Sequence, residues 1–330
     1  MNIENLENIL KGEPKYRLKQ IKEAIFSELI DDWSGALNLP SALREKLNEE
    51  CPLEIKGKIF GSDEGRAEKA LIELEDGLSV ESVLMRHGEG PEKRNTICVS
   101  SQVGCPMACK FCATGEMGFK RSLTASEIVE QVLFFARRGE RISNIVFMGM
   151  GEPFLNYENV MNAIRILNDK DGMNIGARKI SISTSGVIEG IEKLANEKLQ
   201  LNLAVSLHAP DDELRSGLMP INKKYPLEKI LEAVDGYIKK TSRRVMFEYV
   251  LIRGVNDSPN HARRLARIMK KPLYMVNLIK YNPAGGGFQP SDADAVKRFK
   301  GILEKEGVAV TVRHRFGGEI KAACGQLAAR

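Results

Sequence analysis

The stretch "GCPMACKFCATG", residues 104–115, places three cysteines within eight positions. Cys105, Cys109 and Cys112 follow the spacing C-x3-C-x2-C, which brings three thiol side chains to one small site. Thiolates grouped in this way bind zinc or iron–sulfur clusters, and structural sites of both kinds take four protein ligands. The stretch holds no fourth cysteine. The pattern therefore predicts a metal centre with one open position, either a cluster with an open iron or a zinc ion.

The whole chain has the composition of a globular protein. Its 330 residues are 43% apolar and 28% charged, which is ordinary for a folded protein. The apolar runs are shorter than the ~20 residues of a membrane span, and the opening "MNIENLENIL" lacks the apolar core of a signal peptide. We therefore expect a cytoplasmic protein that does not enter a membrane. In that compartment grouped cysteines are more often ligands or catalysts than structural disulfides.

Charge is distributed unevenly along the chain. Residues 1–90 contain 12 Lys and Arg against 19 Asp and Glu, whereas residues 91–330 contain 37 against 25. The basic excess therefore accompanies the grouped cysteines. Such an excess favours a polyanionic partner such as RNA, although a solvated surface accounts for it equally well.

Three segments of the chain differ in their patterns. Residues 1–50 have apolar positions at helical spacing, which predicts a small helical domain. Residues 51–90 alternate polar and apolar positions between the turns "GSDEG" and "EDG", which predicts a small antiparallel β unit. In residues 91–330 short β-rich runs alternate with helical stretches, which predicts an α/β fold with a parallel sheet. Periodicity alone leaves open whether that sheet is doubly wound or forms a complete or partial barrel.

Polar loops follow several of the predicted strands. "MGMGEP", "STSG", "SLHAP" and "YNPAGGG" each come directly after such a strand, and the grouped cysteines follow the first one. In α/β folds the loops at the carboxyl ends of parallel strands form the functional site. The sequence therefore predicts that the cysteines and these four loops share one face of the sheet.

The cysteine spacing, with Phe111 before the last cysteine, resembles the signature of the radical S-adenosylmethionine (SAM) superfamily. The ordered set "NTICVSSQVGCPMACKFCATGEMGFKR", "NIVFMGMGEPFLNY", "STSGV", "SLHAP", "PINKKYP" and "AACGQL" resembles more closely the RlmN/Cfr family of RNA adenine methyl synthases. This resemblance implies a partial (βα)6 barrel in residues 91–330, with an RNA-binding accessory domain in residues 1–50 and a β extension in residues 51–90. It also implies a [4Fe-4S] cluster held by Cys105, Cys109 and Cys112, whose open iron binds SAM.

The resemblance assigns roles to residues outside the cysteine motif. Cys324 corresponds to the cysteine that one SAM methylates and that then supplies the carbon to RNA. Cys98 corresponds to the thiol that releases the RNA adduct through a transient disulfide with Cys324, and Glu81 to the proton acceptor. From residue type alone these would be two packing cysteines and an exposed strand carboxylate. The positions that correspond to SAM contacts are Gly151, Glu152, Ser183, Ser206, Leu207, His208 and Asn282.

The reaction implied by the resemblance is methylation of adenine C2, with two SAM molecules used per turnover. The first SAM methylates Cys324, and the second yields a 5′-deoxyadenosyl radical that removes hydrogen from that methyl group. The implied substrates are an adenosine of 23S rRNA at the peptidyl transferase centre and the adenosine 3′ to the anticodon of tRNAs. A donor such as flavodoxin or ferredoxin would reduce a monomeric enzyme.

Two alternatives to this function stay open. The first is methylation of C8 of the same rRNA adenosine, an activity that would confer antibiotic resistance. Enzymes with that activity share all of these motifs. The second is a non-enzymatic RNA-binding protein with a structural metal.

Two positions fall outside the pattern of the family. Cys51 matches no motif, and we expect it to pack in the core. Glu319 stands where relatives carry Asp before "AACGQL", so the carboxylate is kept on a side chain one methylene longer. We expect this change to affect the fine geometry of the Cys324 loop and not its identity.

Overall fold

One ten-stranded sheet forms the framework of the protein. The computed structural model describes residues 1, 3–88, 90, 93–284, 287–313 and 316–329. The strands are β1 (Gly57–Gly61), β2 (Ala67–Glu73), β3 (Ser79–His87), β4 (Arg94–Val99), β5 (Gln102–Gly104), β6 (Phe119–Ser122), β7 (Asn144–Phe147), β8 (Ile180–Thr184), β9 (Asn202–Ser206), β10 (Val245–Leu251), β11 (Tyr274–Lys280) and β12 (Val310–Val312). The sheet runs in the order β1-β2-β3-β4-β7-β8-β9-β10-β11-β12, and β5 pairs with β6 in a separate hairpin.

Seven strands of the sheet, from β4 to β12 in this order, run parallel to one another. Within the described ranges β12 pairs with β11 alone, so the sheet stays open between β12 and β4. Six parallel strands and a short seventh at the edge thus form the predicted partial barrel. Central strands such as β10 are buried along almost their whole length, which suits their β-branched and aromatic residues.

Helices connect the consecutive parallel strands, as the alternating pattern predicts. The helix α5 (Ala125–Ala136) begins with a capping box, in which the Thr124 hydroxyl accepts the Glu127 N–H and the Glu127 carboxylate accepts the Thr124 N–H. No helix in the described part of the chain is both long and apolar enough to cross a membrane. The helices are α1 (Leu6–Ile9), α2 (Tyr16–Phe26), α3 (Ser41–Glu50), α4 (Ala113–Glu116), α5 (Ala125–Ala136), α6 (Tyr157–Asn168), α7 (Ile188–Leu194), α8 (Asp212–Leu218), α9 (Leu227–Thr241), α10 (Pro259–Met269) and α11 (Ala293–Lys305).

The antiparallel strands β1 to β3 extend the barrel sheet beyond β4. Strand β3 pairs with β4 in antiparallel register, with Val83 opposite Cys98. Glu81 therefore lies beside the carboxyl end of β4, where the Ser100 hydroxyl donates to its carbonyl (2.6 Å). The β unit predicted in residues 51–90 is thus continuous with the sheet that carries the polar loops.

The helices before β1 share the hydrophobic core of the barrel. Trp33 is fully buried, and its indole N–H donates to the carbonyl of Cys51 (2.8 Å). Cys51 is itself fully buried in the core, as predicted. The Ile3 N–H donates to the hydroxyl of Ser126 on α5 (3.1 Å), which ties the N-terminal segment to the barrel.

Candidate active site

A cavity of about 160 Å³ lies at the carboxyl ends of the parallel strands. The cysteine loop and the polar loops after β7, β8, β9 and β11 form its walls, so they share one face as predicted. Three residues predicted for the site, Leu207, Glu81 and Cys98, lie outside this lining. The ten predicted residues that line the cavity are Cys105, Cys109, Cys112, Gly151, Glu152, Ser183, Ser206, His208, Asn282 and Cys324.

The grouped cysteines lie on the loop between β5 and β6, which folds back on itself. Gly104 has φ +75°, and a Cβ at this position would lie 1.8 Å from the carbonyl oxygen of Gly118, so only glycine fits. The Cys105 N–H donates to that carbonyl (3.0 Å), and the Cys112 N–H donates to the carbonyl of Cys109 (3.1 Å). These contacts hold the three thiols at one wall of the cavity.

The three thiols form a donor set that fits an iron–sulfur cluster. Burial raises the pKa of the Cys105 thiol to about 12 and that of the Cys109 thiol well above its usual value. A cysteine binds a metal as its thiolate. Buried thiolates at this wall therefore need positive charge beside them, and the irons of a cluster supply it. In the described ranges no three His, Cys, Asp or Glu side chains converge as they would around a single metal ion. Each thiol would bind a separate iron, leaving the fourth iron of a [4Fe-4S] cluster without a protein ligand.

Glu152 is fixed after β7 with its carboxylate at the cavity wall. Its Oε2 accepts hydrogen bonds from the N–H and the hydroxyl of Ser185 (both 2.7 Å), and its Oε1 accepts the Phe154 N–H (3.1 Å). Burial raises the pKa of this carboxyl, while the bonds from Ser185 oppose the rise. The preceding Gly151 has φ +100°, and a Cβ there would lie 2.6 Å from the Gln102 side chain. A buried carboxylate held in this way suits an ammonium group such as that of SAM.

His208 presents a neutral ring to the cavity. Its Nδ1 accepts the Val250 N–H (3.0 Å), which places the ring proton on Nε2. Burial lowers its pKa to about 3. Phe111 of the cysteine loop packs edge-on against this ring, with centroids 4.9 Å apart. The neighbouring Leu207 instead buries its side chain in the hydrophobic core, so only His208 of this pair lines the cavity.

Arg215 on α8 hydrogen-bonds to the strand ends that carry the predicted SAM contacts. Sequence reasoning missed this residue. The side chain is fully buried. It donates to the carbonyls of Ser185 (2.6 Å), Ser206 (3.0 Å) and Leu207 (3.1 Å). A fourth bond, to Asn222 Oδ1 (2.8 Å), joins Arg215 to the "PINKKYP" segment. This bond explains why that motif lies beside the strand ends.

Two buried oxygens at the cavity wall, Asn282 Oδ1 and Glu248 Oε1, have no hydrogen-bond partner among the described residues. The other polar atom of each side chain is bonded: Asn282 Nδ2 donates to the Cys324 carbonyl (3.2 Å), and Glu248 Oε2 accepts from Asn277 Nδ2 (2.8 Å). Buried acceptors without partners are costly. They fit a ligand that brings donors, as the amino and hydroxyl groups of SAM do. Sequence reasoning missed Glu248 because one acid within "VMFEYVLI" gives no sign of which face it occupies.

Cys324 borders two cavities at once. It lines the larger cavity and also a second one of about 50 Å³, which it shares with Cys98 and Arg313. Burial raises the pKa of the Cys98 thiol to about 12. All six cysteines lie in the described ranges and none forms a disulfide, so the predicted bond between Cys98 and Cys324 is not formed in this structure.

The segment that carries Cys324 is tied to the cysteine loop. The Ala113 N–H donates to the carbonyl of Gly325 (2.8 Å), and the Thr114 hydroxyl donates to the carbonyl of Leu327 (2.6 Å). Residues more than two hundred positions apart thereby form one wall. These two hydrogen bonds hold the segment of Cys324 against the loop of the three grouped cysteines.

Glu81 is buried on β3 with 2% of its surface exposed, so the exposed position expected from residue type alone is wrong. Its Oε1 pairs with Lys69 Nζ (2.8 Å), and its Oε2 accepts the Ala328 N–H (2.7 Å). The carboxylate thus contacts the segment that carries Cys324. Glu319 is exposed, so its additional methylene does not crowd that segment.

Comparisons with known proteins agree with this geometry. Residues 99–266 match the radical SAM superfamily. A protein of Dictyoglomus thermophilum named "Probable dual-specificity RNA methyltransferase RlmN" is 46% identical over 335 residues, which cover 99% of this chain and 95% of that protein. The "Ribosomal RNA large subunit methyltransferase N" of Nitrosopumilus maritimus is 46% identical over 328 residues, 96% of this chain and 93% of that protein. The crystal structure of a radical SAM methyltransferase from Sphaerobacter thermophilus has a TM-score of 0.95 and 45% identity, covering 100% of this chain and 98% of that one.

Proposed function

This chain belongs to the radical SAM superfamily and, within it, to the RlmN family of RNA methyltransferases, and we propose that it methylates C2 of an adenosine in RNA, with Cys324 as the carrier of the methyl carbon. The proposed substrates are 23S rRNA at the peptidyl transferase centre and the adenosine 3′ to the anticodon in tRNAs. Because the chain belongs to a methyltransferase family, the alternative of a non-enzymatic protein with a structural metal is set aside.

The observation that carries this proposal is the position of Cys324 between two cavities. On one side lie the grouped cysteines and the acceptors suited to SAM, and on the other side lies Cys98. C2 of adenine is an electron-poor ring carbon, so it does not take a methyl group by direct displacement, whereas a thiolate does. A cysteine placed between a cofactor site and a second thiol is what transfer through an S-methylcysteine requires.

The residues at the larger cavity would hold the cluster and SAM. Cys105, Cys109 and Cys112 would bind the [4Fe-4S] cluster, and Glu152 would accept hydrogen bonds from the SAM amino group. When bound and reduced by a donor such as flavodoxin or ferredoxin, the cluster and two SAM molecules supply a methyl group and a 5′-deoxyadenosyl radical. His208 offers its Nε2–H, and Arg215 fixes the strand ends that face the cofactor. The proposed SAM contacts are Gly151, Glu152, Ser183, Ser206, Leu207, His208 and Asn282, of which Leu207 would contribute its backbone alone, since its side chain is buried in the core.

Product release would depend on Cys98 and Glu81. Cys98 and Cys324 line the second cavity together, which supports a transient disulfide between them as the adduct with RNA is resolved. Glu81 would accept the proton from the adenine ring. Each of its oxygens accepts one bond in the structure, from Lys69 and from the Ala328 N–H, and so keeps a second lone pair for that proton.

RNA binding would use the basic surface of residues 91–330, since that segment carries the positive excess and phosphates dominate RNA affinity. We propose that residues 1–50 act as an accessory RNA-binding domain, with residues 51–90 as a β extension of the barrel. Chemistry on one base requires that base to leave its stack. The proposed enzyme works as a monomer.

Nucleoside analysis of the modified RNA tests this function and separates C2 from C8. Anaerobically reconstituted enzyme with SAM, a reductant and rRNA or tRNA transcripts is expected to yield 2-methyladenosine, identified by mass spectrometry against synthetic standards. Formation of 8-methyladenosine instead would establish the other regiochemistry. Cys324→Ala is expected to lower product formation about 10³-fold or more, whereas Cys51→Ala, a core cysteine remote from the cavity lining, retains it. Product formed by Cys324→Ala at the wild-type rate would contradict the proposal.

A further inference from the structure

Arg313, which follows β12, borders both cavities and has no part in the function described so far. Its Nη1 lies 3.8 Å from Cys324 Sγ and 3.3 Å from Met148 Sδ, as a donor to both sulfurs. The guanidinium therefore contacts the sulfur that would accept the first methyl group. A cation in contact with this sulfur favours its thiolate form over its thiol form.

Ionisable groups from several elements surround Arg313 and Cys324. Glu248 of β10, Cys98 of β4 and Cys112 of the cysteine loop interact electrostatically with one or both of these side chains. In the described ranges no carboxylate forms a direct ion pair with Arg313, so its charge is not neutralised at contact distance. Charges act more strongly on their neighbours in a site shielded from water than in bulk solvent.

The neighbours of Cys324 have opposing effects on its thiol. Burial raises the pKa of this thiol, the Arg313 guanidinium opposes the rise, and the Glu248 carboxylate adds to it. A lower pKa means a larger thiolate fraction at neutral pH, and the thiolate rather than the thiol is the nucleophile. Among the described groups, loss of the guanidinium would leave only those that disfavour the reactive form.

We propose that Arg313 is a catalytic residue for the methylation of Cys324, in which its guanidinium stabilises the thiolate that attacks the methyl group of SAM. The inference rests on the proposed function. The thiol proton is lost to solvent through the larger cavity, which Cys324 lines. The thiolate sulfur bonds to the methyl carbon while the bond from that carbon to the sulfonium sulfur breaks. The electron pair of the broken bond stays on that sulfur, and S-adenosylhomocysteine leaves, so the step needs no oxidant or reductant.

The pH dependence of Cys324 methylation tests this role. Reconstituted holoenzyme receives CD3-labelled SAM without an electron donor, and mass spectrometry follows the labelled methyl group on the Cys324 peptide between about pH 6 and pH 11. At saturating SAM, Arg313→Gln is expected to react about tenfold or more slowly at neutral pH and to move the midpoint upward by about one unit or more. Arg313→Lys keeps the charge and is expected to stay within about half a unit of the wild type.

A matched control removes a similar contact elsewhere. Arg244 Nη1 lies 3.8 Å from Met275 Sδ on an exposed surface, so Arg244→Gln deletes an arginine–sulfur contact of the same length away from both cavities. We expect its methylation profile to equal that of the wild type. Iron content and circular dichroism identify any misfolded variant.

The outcomes separate this inference from the proposed function. If wild-type enzyme gains no labelled methyl group on Cys324, the proposed function itself fails. If it does, and the profile of Arg313→Gln coincides with that of the wild type, only the role of Arg313 is overturned. Should Arg313→Gln misfold, Arg313→Lys decides: a wild-type profile supports the role of the charge, and an upward shift of about one unit overturns it.

Discussion

Glu248, which lines the cofactor cavity, is held through one carboxylate oxygen, while its other oxygen is buried without a partner in the described part of the chain. Burial raises the pKa of this carboxyl, and the bond from Asn277 opposes the rise. The Asn277 Oδ1 in turn accepts the Thr311 hydroxyl (3.0 Å), which fixes the amide orientation. Glu248 is therefore oriented to accept hydrogen bonds from a bound ligand.

Glu248→Gln tests this acceptor at the scale of one residue. The Gln oxygen must take the bond from Asn277, so its NH2 group would face the cavity in place of an acceptor. We expect the dissociation constant for SAM to rise about tenfold or more, because hydrogen bonds to charged groups contribute about 1.5–3 kcal/mol. Equilibrium binding of SAM to unreduced holoenzyme measures the change. Glu197→Gln, outside the cavity lining, serves as the control, and unchanged SAM affinity in Glu248→Gln would show that no donor meets this oxygen.

The hairpin of β5 and β6 is the element on which the cluster ligands depend. Gly104 and Gly118 close its loop, since the Gly118 carbonyl accepts the Cys105 N–H and lies where a Cβ on Gly104 would stand. Both glycines have positive φ, +75° and +70°. Only at Gly104 would a methyl group meet the backbone of the partner strand.

Alanine substitution of each of these two glycines separates the effect of backbone strain from the effect of a steric collision. Gly118→Ala has nothing within 4 Å of the added Cβ and carries only the strain of a left-handed residue, about 1–3 kcal/mol. Gly104→Ala carries that strain and a collision at 1.8 Å, so we expect it to open the loop and to bind well under half the wild-type iron. Iron per chain and visible absorbance after anaerobic reconstitution measure this. Equal iron contents in the two variants would show that the loop does not depend on this close approach.

Elements of the barrel were predictable where the pattern was long. An apolar periodicity at helical spacing predicts the helices whose apolar faces pack against the sheet, which are α5, α6, α9, α10 and α11. The hairpin of β5 and β6 and the short helix α8 were missed. The hairpin holds too few residues for a pattern, and its closure depends on a contact between positions thirteen residues apart.

At the scale of the whole molecule, the site unites segments that are distant in sequence. Motif resemblance identified ten of the residues in the cavity wall, because their types and order are distinctive. It could not identify Glu248, Arg215 or Arg313, which act through contacts that only the folded chain makes. Nor could it show that Glu81 is buried against the segment carrying Cys324, since that contact depends on β3 joining the barrel sheet.

The isotopic composition of the transferred methyl group tests the central claim most directly. The enzyme is given RNA, a reductant and CD3-labelled SAM, and the methylated nucleoside and 5′-deoxyadenosine are analysed by mass spectrometry. If Cys324 carries the methyl group and a radical removes one of its hydrogens, 2-methyladenosine will hold two deuteriums and 5′-deoxyadenosine will gain one. A methylated adenosine that keeps all three deuteriums would mean direct transfer from SAM to RNA, and would contradict the account.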